Sequence, residues 1–199
     1  MVGIIDYKTG NLRSVENALY RAGVEYAVTA EPAILHSCSH ILLPGVGDAG
    51  WAMGRICENG IADIIATFTQ PVMGICLGMQ IMCSYSEESD TRCLGIFPGK
   101  IRRIPEKSTE GEKIKVPHIG WNSVRYNDNE LFDGIRQDEY FYFVHSYCAE
   151  IDEYTAGVTV YGTEFGSVLR RDNFIGCQFH PEKSGTAGER LLKNFLKMK

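Results

Sequence analysis

The spacing of hydrophobic positions along this chain changes about half-way. In the first half, short apolar runs alternate with stretches whose apolar residues recur at helical intervals. Residues 2–6 read as a buried strand, followed by a turn at Gly10-Asn11. Leu12, Val15, Ala18, Leu19 and Ala22 then share one helical face, and Gly23 ends that helix. Residues 24–29 form a second predicted strand, Pro32 opens a short helix, and residues 40–43 form a third strand. Asp48 is placed to cap the next helix, in which Trp51, Met53 and Ile56 read as core packing. Strands alternating with helices predict a parallel sheet covered on both faces, with ligands at the carboxyl ends of its strands.

From about Gly95 the period shortens. Residues 95–104, 116–126, 140–147, 155–161 and 167–170 alternate as strands do, which predicts an antiparallel extension beside the parallel sheet. The polar stretch 106–113 reads as an exposed loop, and 185–199 as a closing helix with Leu191, Leu192, Phe195 and Leu196 towards the sheet. No linker, repeat or low-complexity tract interrupts the 199 residues, so one α/β domain over 1–199 is expected.

Composition narrows the function classes. A formal net charge of -5 and a pI near 5.6, without a basic run longer than Arg102-Arg103, argue against a general nucleic-acid binder. Met1 runs straight into residues 2–5 with no charged and apolar leader, and no apolar run approaches a membrane span. A cytoplasmic protein without membrane association is therefore expected. The seven cysteines are scattered, with no C-x-x-C pair, and the five histidines lack metal spacing. Most of these thiols, Cys83 among them, are expected to be buried and inert, and no metal or other cofactor is expected.

One cysteine stands apart. The run from Pro71 ends in Gly74-Ile-Cys-Leu-Gly78, the G-x-nucleophile-x-G spacing of a strand-to-helix elbow with cysteine as the nucleophile. The flanking glycines suit a turn too tight for a Cβ, and a thiol at a helix start faces unpaired N–H groups that favour the thiolate. Five residues alone are equally compatible with a buried structural cysteine. The second stretch, Gly176-Cys-Gln-Phe-His-Pro-Glu-Lys-Ser184, changes that balance. His180 and Glu182 lie two apart and share one face of an extended segment, and Pro181 holds His180 extended. A carboxylate so near fixes one imidazole tautomer and leaves the other nitrogen for a thiol.

These two stretches resemble the class I (triad) glutamine amidotransferases. Residues 4–7, 10–14, 43–47, 117–122 and 140–147 extend the similarity over nearly the whole chain. The 117–122 and 140–147 segments point within that family to the glutaminase subunits of imidazole glycerol phosphate synthases. The resemblance implies a flavodoxin-like fold and hydrolysis of L-glutamine to L-glutamate and ammonia through a Cys76 thioester, with His180 and Glu182 completing the triad. It assigns an oxyanion hole to Gly45, Val46, Gly47 and the N–H of Leu77, and substrate contacts to Gln80, Ser146 and Tyr147. It also implies a heterodimer with a (β/α)8-barrel cyclase that uses the ammonia in histidine biosynthesis, with Asn11, Trp121, Tyr142 and Lys183 at the interface or ammonia passage. Trp121 and Tyr142 are each equally compatible with core packing. Lys8-Thr9 and Ile119 depart from the family's usual smaller residues and methionine.

Other readings stay open. The same chemistry can feed a different synthase, such as a surface-sugar amidination enzyme, and a regulatory module can keep the scaffold without catalysis. Peptidase-like relatives commonly carry histidine directly after the elbow cysteine, where this chain has Leu77.

Overall fold

The computed structural model describes residues 1–8, 12–128 and 130–199. The apolar runs of the first half form β1 (Val2–Ile5), β2 (Tyr26–Thr29), β3 (His40–Gly45) and β4 (Val72–Cys76). Between and after them lie α1 (Arg13–Arg21), α2 (Pro32–Ser37), α3 (Ala49–Glu58), α4 (Ile61–Ile65) and α5 (Leu77–Met82). Local chemistry sets several boundaries as the sequence predicts. Gly23 adopts φ +69 just beyond α1, Pro32 occupies the first turn of α2, and Asp48 accepts the Trp51 N–H at 2.9 Å to cap α3. The turn at Gly10-Asn11 falls outside the described residues.

The second half supplies β5 (Tyr85–Ser86), β6 (Thr91–Arg92), β7 (Lys100–Arg103), β8 (His118–Tyr126), β9 (Glu139–His145) and β10 (Tyr147–Ala149). It continues with β11 (Thr155–Tyr161), β12 (Thr163–Arg171), β13 (Phe174–Cys177) and α6 (Gly185–Phe195). Strands β2-β1-β3-β4-β13 lie side by side and pair in parallel. From β13 the sheet turns antiparallel through β12, which also pairs with β11, and β11 leads to the β8–β9 hairpin. The expected α/β architecture with its antiparallel extension is therefore present.

Residues 174–177 form a strand that the spacing does not predict. They return to the parallel sheet beside β4, because Phe174, Ile175 and Cys177 are apolar and fit a site buried on both faces. Two further short strands, β5 and β6, carry too few residues for a visible alternation.

Strand alternation divides the core. Ile4, Leu42, Met73 and Ile75 pack with Val15 and Leu19 of α1 and with Leu191, Leu192 and Phe195 of α6. Ile5, Ile41, Leu43 and Val72 pack on the other face with Leu35 of α2, Met53 and Ile56 of α3, Ile61 and Ile65 of α4, and α5. Trp51 does not join this core: it is 46% exposed, because the face of α3 that meets the sheet runs through Ala49, Ala52, Met53 and Ile56. A tryptophan two residues before Met53 points about 160° away on the helix.

Buried histidines mark the antiparallel part. The Nδ1–H of His145 donates to the Tyr147 carbonyl at 2.8 Å, so its Nε2 accepts from His118 Nδ1–H at 2.9 Å. His118 also stacks on Phe143 and Tyr161. Burial pulls both imidazoles below their ordinary 6.5, His118 to about 4 and His145 to about 3. An unfolded chain therefore takes up these protons first. The stability gained by keeping the pair neutral is complete above about pH 6.5 and drains away as pH falls towards 4 and 3. Urea midpoints measured between pH 7.5 and 4 are expected to fall more steeply for the native chain than for His118→Phe.

Packing is close under the elbow. A Cβ on Gly78 would run into the Leu43 carbonyl, and one on Gly74 would meet Met82 Sδ at 2.6 Å. Gly78→Ala is expected to lower unfolding free energy by at least about 2 kcal/mol, read as a lower urea midpoint at unchanged slope.

Candidate active site

The elbow forms where β4 stops and α5 begins at once. Cys76 occupies φ 54 and ψ -111, a conformation a non-glycine residue keeps only when its surroundings impose it. The imposed contact is the approach of Gly78 to Leu43, which lets α5 start directly over β3. Cys76 is 7% exposed at the floor of a cavity of about 340 Å³. That volume suits a small metabolite.

His180 arrives from β13. Because Gly176 lies opposite Gly74 and Cys177 opposite Ile75, the chain leaves β13 at the level of the elbow. His180 is extended (φ -100, ψ 95), as its position before proline predicts, and its N–H donates to the Tyr142 carbonyl at 2.9 Å. Glu182 does not follow in an extended segment. A short 3-10 turn, Pro181–Lys183, folds it back so that its Oε1 accepts from His180 Nδ1 at 2.8 Å. Proline at the first position favours that turn.

The environment sets the charge on His180. Burial pushes its pKa down, but the proximity of Cys76 and Glu182 outweighs this and raises it to about 9. The Cys76 pull is not a well-aligned hydrogen bond, since His180 Nε2 has no partner of proper geometry. Instead Cys76 Sγ donates towards the Val144 carbonyl at 3.8 Å and receives Gln178 Nε2 at 3.8 Å. In this resting arrangement the imidazole lies buried beside a sulfur that is turned elsewhere.

Most of the other expected residues gather around the same cavity. Gly45 pairs opposite Cys76 at the end of β3, and Val46 and Gly47 leave the sheet there and line the cavity, Gly47 with φ +101. Leu77, Gln80, Ser146 and Tyr147 line it as well. Gln80 is buried and donates to the Tyr147 carbonyl at 2.9 Å and to Gln178 Oε1 at 3.0 Å. Lys183 lines the same cavity. Trp121 and Tyr142 face each other across β8 and β9 with ring centroids 6.1 Å apart, and Trp121 is 54% exposed rather than in the core. Ile119 is exposed beside them. Asn11 falls outside the described residues.

Three lining residues escaped sequence reasoning. Glu88 accepts the Ala49 N–H at 2.9 Å and is half-buried; desolvation raises its pKa, the Ala49 N–H opposes this, and Asp48 adds to it. It sits in a polar run that reads as surface. Val144 and His145 precede Ser146 on β9, and only strand register brings them to the sulfur. Among the described residues no cluster suited to a metal ion occurs, and no helix is long and apolar enough to cross a membrane.

A thiol on a strand-to-helix elbow beside an imidazole–carboxylate pair is the arrangement of triad hydrolases and transferases. The chain belongs to the class-I glutamine amidotransferase family, whose profile matches residues 3–198. It is 48% identical over 198 residues to the imidazole glycerol phosphate synthase subunit HisH of Bacteroides fragilis, covering 99% of each chain. It is 42% identical over 199 residues to the subunit HisH 2 of Legionella pneumophila, covering 100% of this chain and 98% of that one. In fold it resembles the crystal structure of a putative GMP synthase subunit from Thermoplasma acidophilum. There the TM-score is 0.74 at 15% identity, over 98% of this chain and 91% of that one.

Removing the charge at Glu182 isolates its effect on His180. In Glu182→Gln, burial then acts against a weaker partner, so the His180 imidazole, followed by NMR, is expected to titrate well below 9.

Proposed function

We propose that this chain is the glutaminase subunit of an imidazole glycerol phosphate synthase, acting in histidine biosynthesis. The observation that carries the reading is the buried meeting of Cys76 with the His180–Glu182 pair at one cavity, in a chain 42–48% identical to HisH subunits over its whole length. The alternative acceptor, a surface-sugar synthase, has no comparable support.

In the proposed reaction the Cys76 thiol passes its proton to His180, and the Sγ of the resulting thiolate–imidazolium pair attacks the side-chain amide carbon of glutamine. The oxyanion rests on the N–H of Leu77 and on the N–H groups of the Gly45-Val46-Gly47 turn. The C–N bond breaks as His180 gives its proton to the leaving nitrogen, and ammonia departs. Water then adds to the thioester while His180 takes its proton, the C–S bond breaks, glutamate leaves and the proton returns to sulfur. A His180 pKa raised to about 9 by the Cys76 sulfur and Glu182 favours the thiolate–imidazolium pair, and with it the proton the leaving nitrogen needs. At the amino-acid end, Gln80 Oε1 and the Glu88 carboxyl offer acceptors for an α-ammonium, and the Ser146-Tyr147 backbone is the remaining substrate contact of this reading.

Ammonia is useful only if it meets its acceptor before dilution. The exposed Ile119, Trp121 and Tyr140, with the half-buried Tyr142 across the strand pair, make an apolar face next to the cavity that fits a docked cyclase. The reading includes a (β/α)8-barrel fold for that cyclase, an interface or ammonia passage through Asn11, Trp121, Tyr142 and Lys183, and a cytoplasmic location.

Glutamate release from glutamine, measured for the chain alone and with a cognate cyclase plus its nucleotide, tests this reading. Activity is expected to be weak alone and strong in the complex. Cys76→Ala is expected to lose at least about a thousandfold. A complex as inert as the isolated folded chain would remove the acceptor assignment, and full activity of Cys76→Ala would remove the mechanism.

A further inference from the structure

The hydrogen bonds behind the nucleophile form a chain with only one possible direction. It starts at the Tyr147 carbonyl, which can only accept. Gln80 must therefore turn its amide nitrogen to that oxygen, at 2.9 Å. The second N–H of the same nitrogen points to Gln178, at 3.0 Å, so Gln178 must present its oxygen there. Its nitrogen is thereby directed at Cys76 Sγ, 3.8 Å away. Reversing either amide would set oxygen against oxygen or nitrogen against nitrogen. The Tyr147 carbonyl is itself held by His145 Nδ1–H at 2.8 Å, and Gln178 is fully buried with its backbone N–H bound to the Ser167 carbonyl at 2.9 Å. An amide this well immobilised loses little freedom when it meets a charge.

We infer that Gln178 is a further catalytic residue, whose side-chain N–H donates to the sulfur of Cys76 and stabilises its thiolate, with Gln80 and the Tyr147 carbonyl as positioning groups that hold the amide in that orientation. Cys76 directs its S–H to the Val144 carbonyl, so the sulfur's lone pairs are what Gln178 meets. At 3.8 Å the contact is long for the thiol; ionisation of sulfur draws the donor in, as catalytic hydrogen bonds of resting enzymes shorten when charge develops. The arrangement also alters the part left to Gln80. Both its N–H groups are engaged inside the protein, so only its Oε1 remains to meet substrate, as an acceptor.

The inference rests on Cys76 being the nucleophile, but its test reads the sulfur and not the turnover of glutamine. The full-length chain is treated with iodoacetamide at neutral pH, and alkylation of Cys76 is followed by peptide mass spectrometry. The exposed Cys57 in the same molecule serves as internal standard. Gln178→Leu is expected to slow Cys76 about tenfold relative to Cys57, the value of one hydrogen bond to a charged group. Gln178→Met keeps the side-chain length and removes the donor without adding a charge, and is expected to slow Cys76 as much. A merely structural role predicts the opposite sign, because loosened packing opens Cys76 and its buried neighbours Cys148 and Cys177 to the reagent. Where Gln178→Leu does not fold, the near-isosteric Gln178→Met decides. Cys76 reacting as fast as in the native chain, or faster, in a folded variant overturns the inference and leaves the glutaminase reading to its own assay.

Discussion

The parallel pairing of β4 with β13 is the constraint on which the site depends. It sets Gly74 beside Gly176 and Ile75 beside Cys177, so the two chain segments that carry the chemistry end at the same height. Beyond that point β4 turns at once into α5, and the other segment runs on to His180 before its own short turn. A slip of one residue would exchange the faces of every side chain on β13 and take Cys177 and Ile175 out of their packed layers. Burial on both faces of the sheet thus holds the register, and the register holds the thiol and the imidazole in reach of each other.

The three buried histidines of this region show how environment divides one residue type into different roles. His118 and His145 lie among aromatic rings with no carboxylate partner, so desolvation dominates and lowers both, with His118 and His180 adding to it at His145 against the Tyr147 carbonyl. His180 is buried as well, yet the Glu182 carboxylate and the Cys76 sulfur reverse the sign of the effect. The first two serve as hydrogen-bonding spacers between β8, β9 and the Tyr147 carbonyl. The third is the one whose pKa is raised, to about 9. Burial sets the cost of charge, and the nearest partner decides whether that cost is met.

The resting site is only partly assembled. His180 Nε2 and Glu182 Oε2 are buried without hydrogen-bond partners, while the thiol leans to the Val144 carbonyl. Buried groups of this kind cost free energy until they find partners. Val144 and Tyr142 belong to β9, whose partner β8 carries the exposed Trp121. The strand pair that presents an apolar face to the outside therefore also supplies the carbonyl on the sulfur and the carbonyl that receives the His180 N–H.

The chain by itself determined the features that local chemistry controls. The alternation of apolar runs with helical spacing disclosed the parallel half and its antiparallel extension, the glycines around Cys76 disclosed the elbow, and Asp48, Pro32 and Gly23 marked helix ends. Each signal acts within a few residues, through sterics, capping or periodicity. Only the tertiary structure decided which side chains converge from distant strands. Residues 174–177 gave no periodic sign of joining β4, Glu88 lay in a run indistinguishable from surface, and Trp51 looked apolar enough for the core until the face of α3 was fixed by its neighbours. Val144 and Gln178 lie in stretches that carry the family resemblance, but nothing local marks either as a neighbour of the sulfur. Their place at the sulfur follows from sheet register and from the direction of a hydrogen-bond chain, both properties of packed neighbours rather than of sequence.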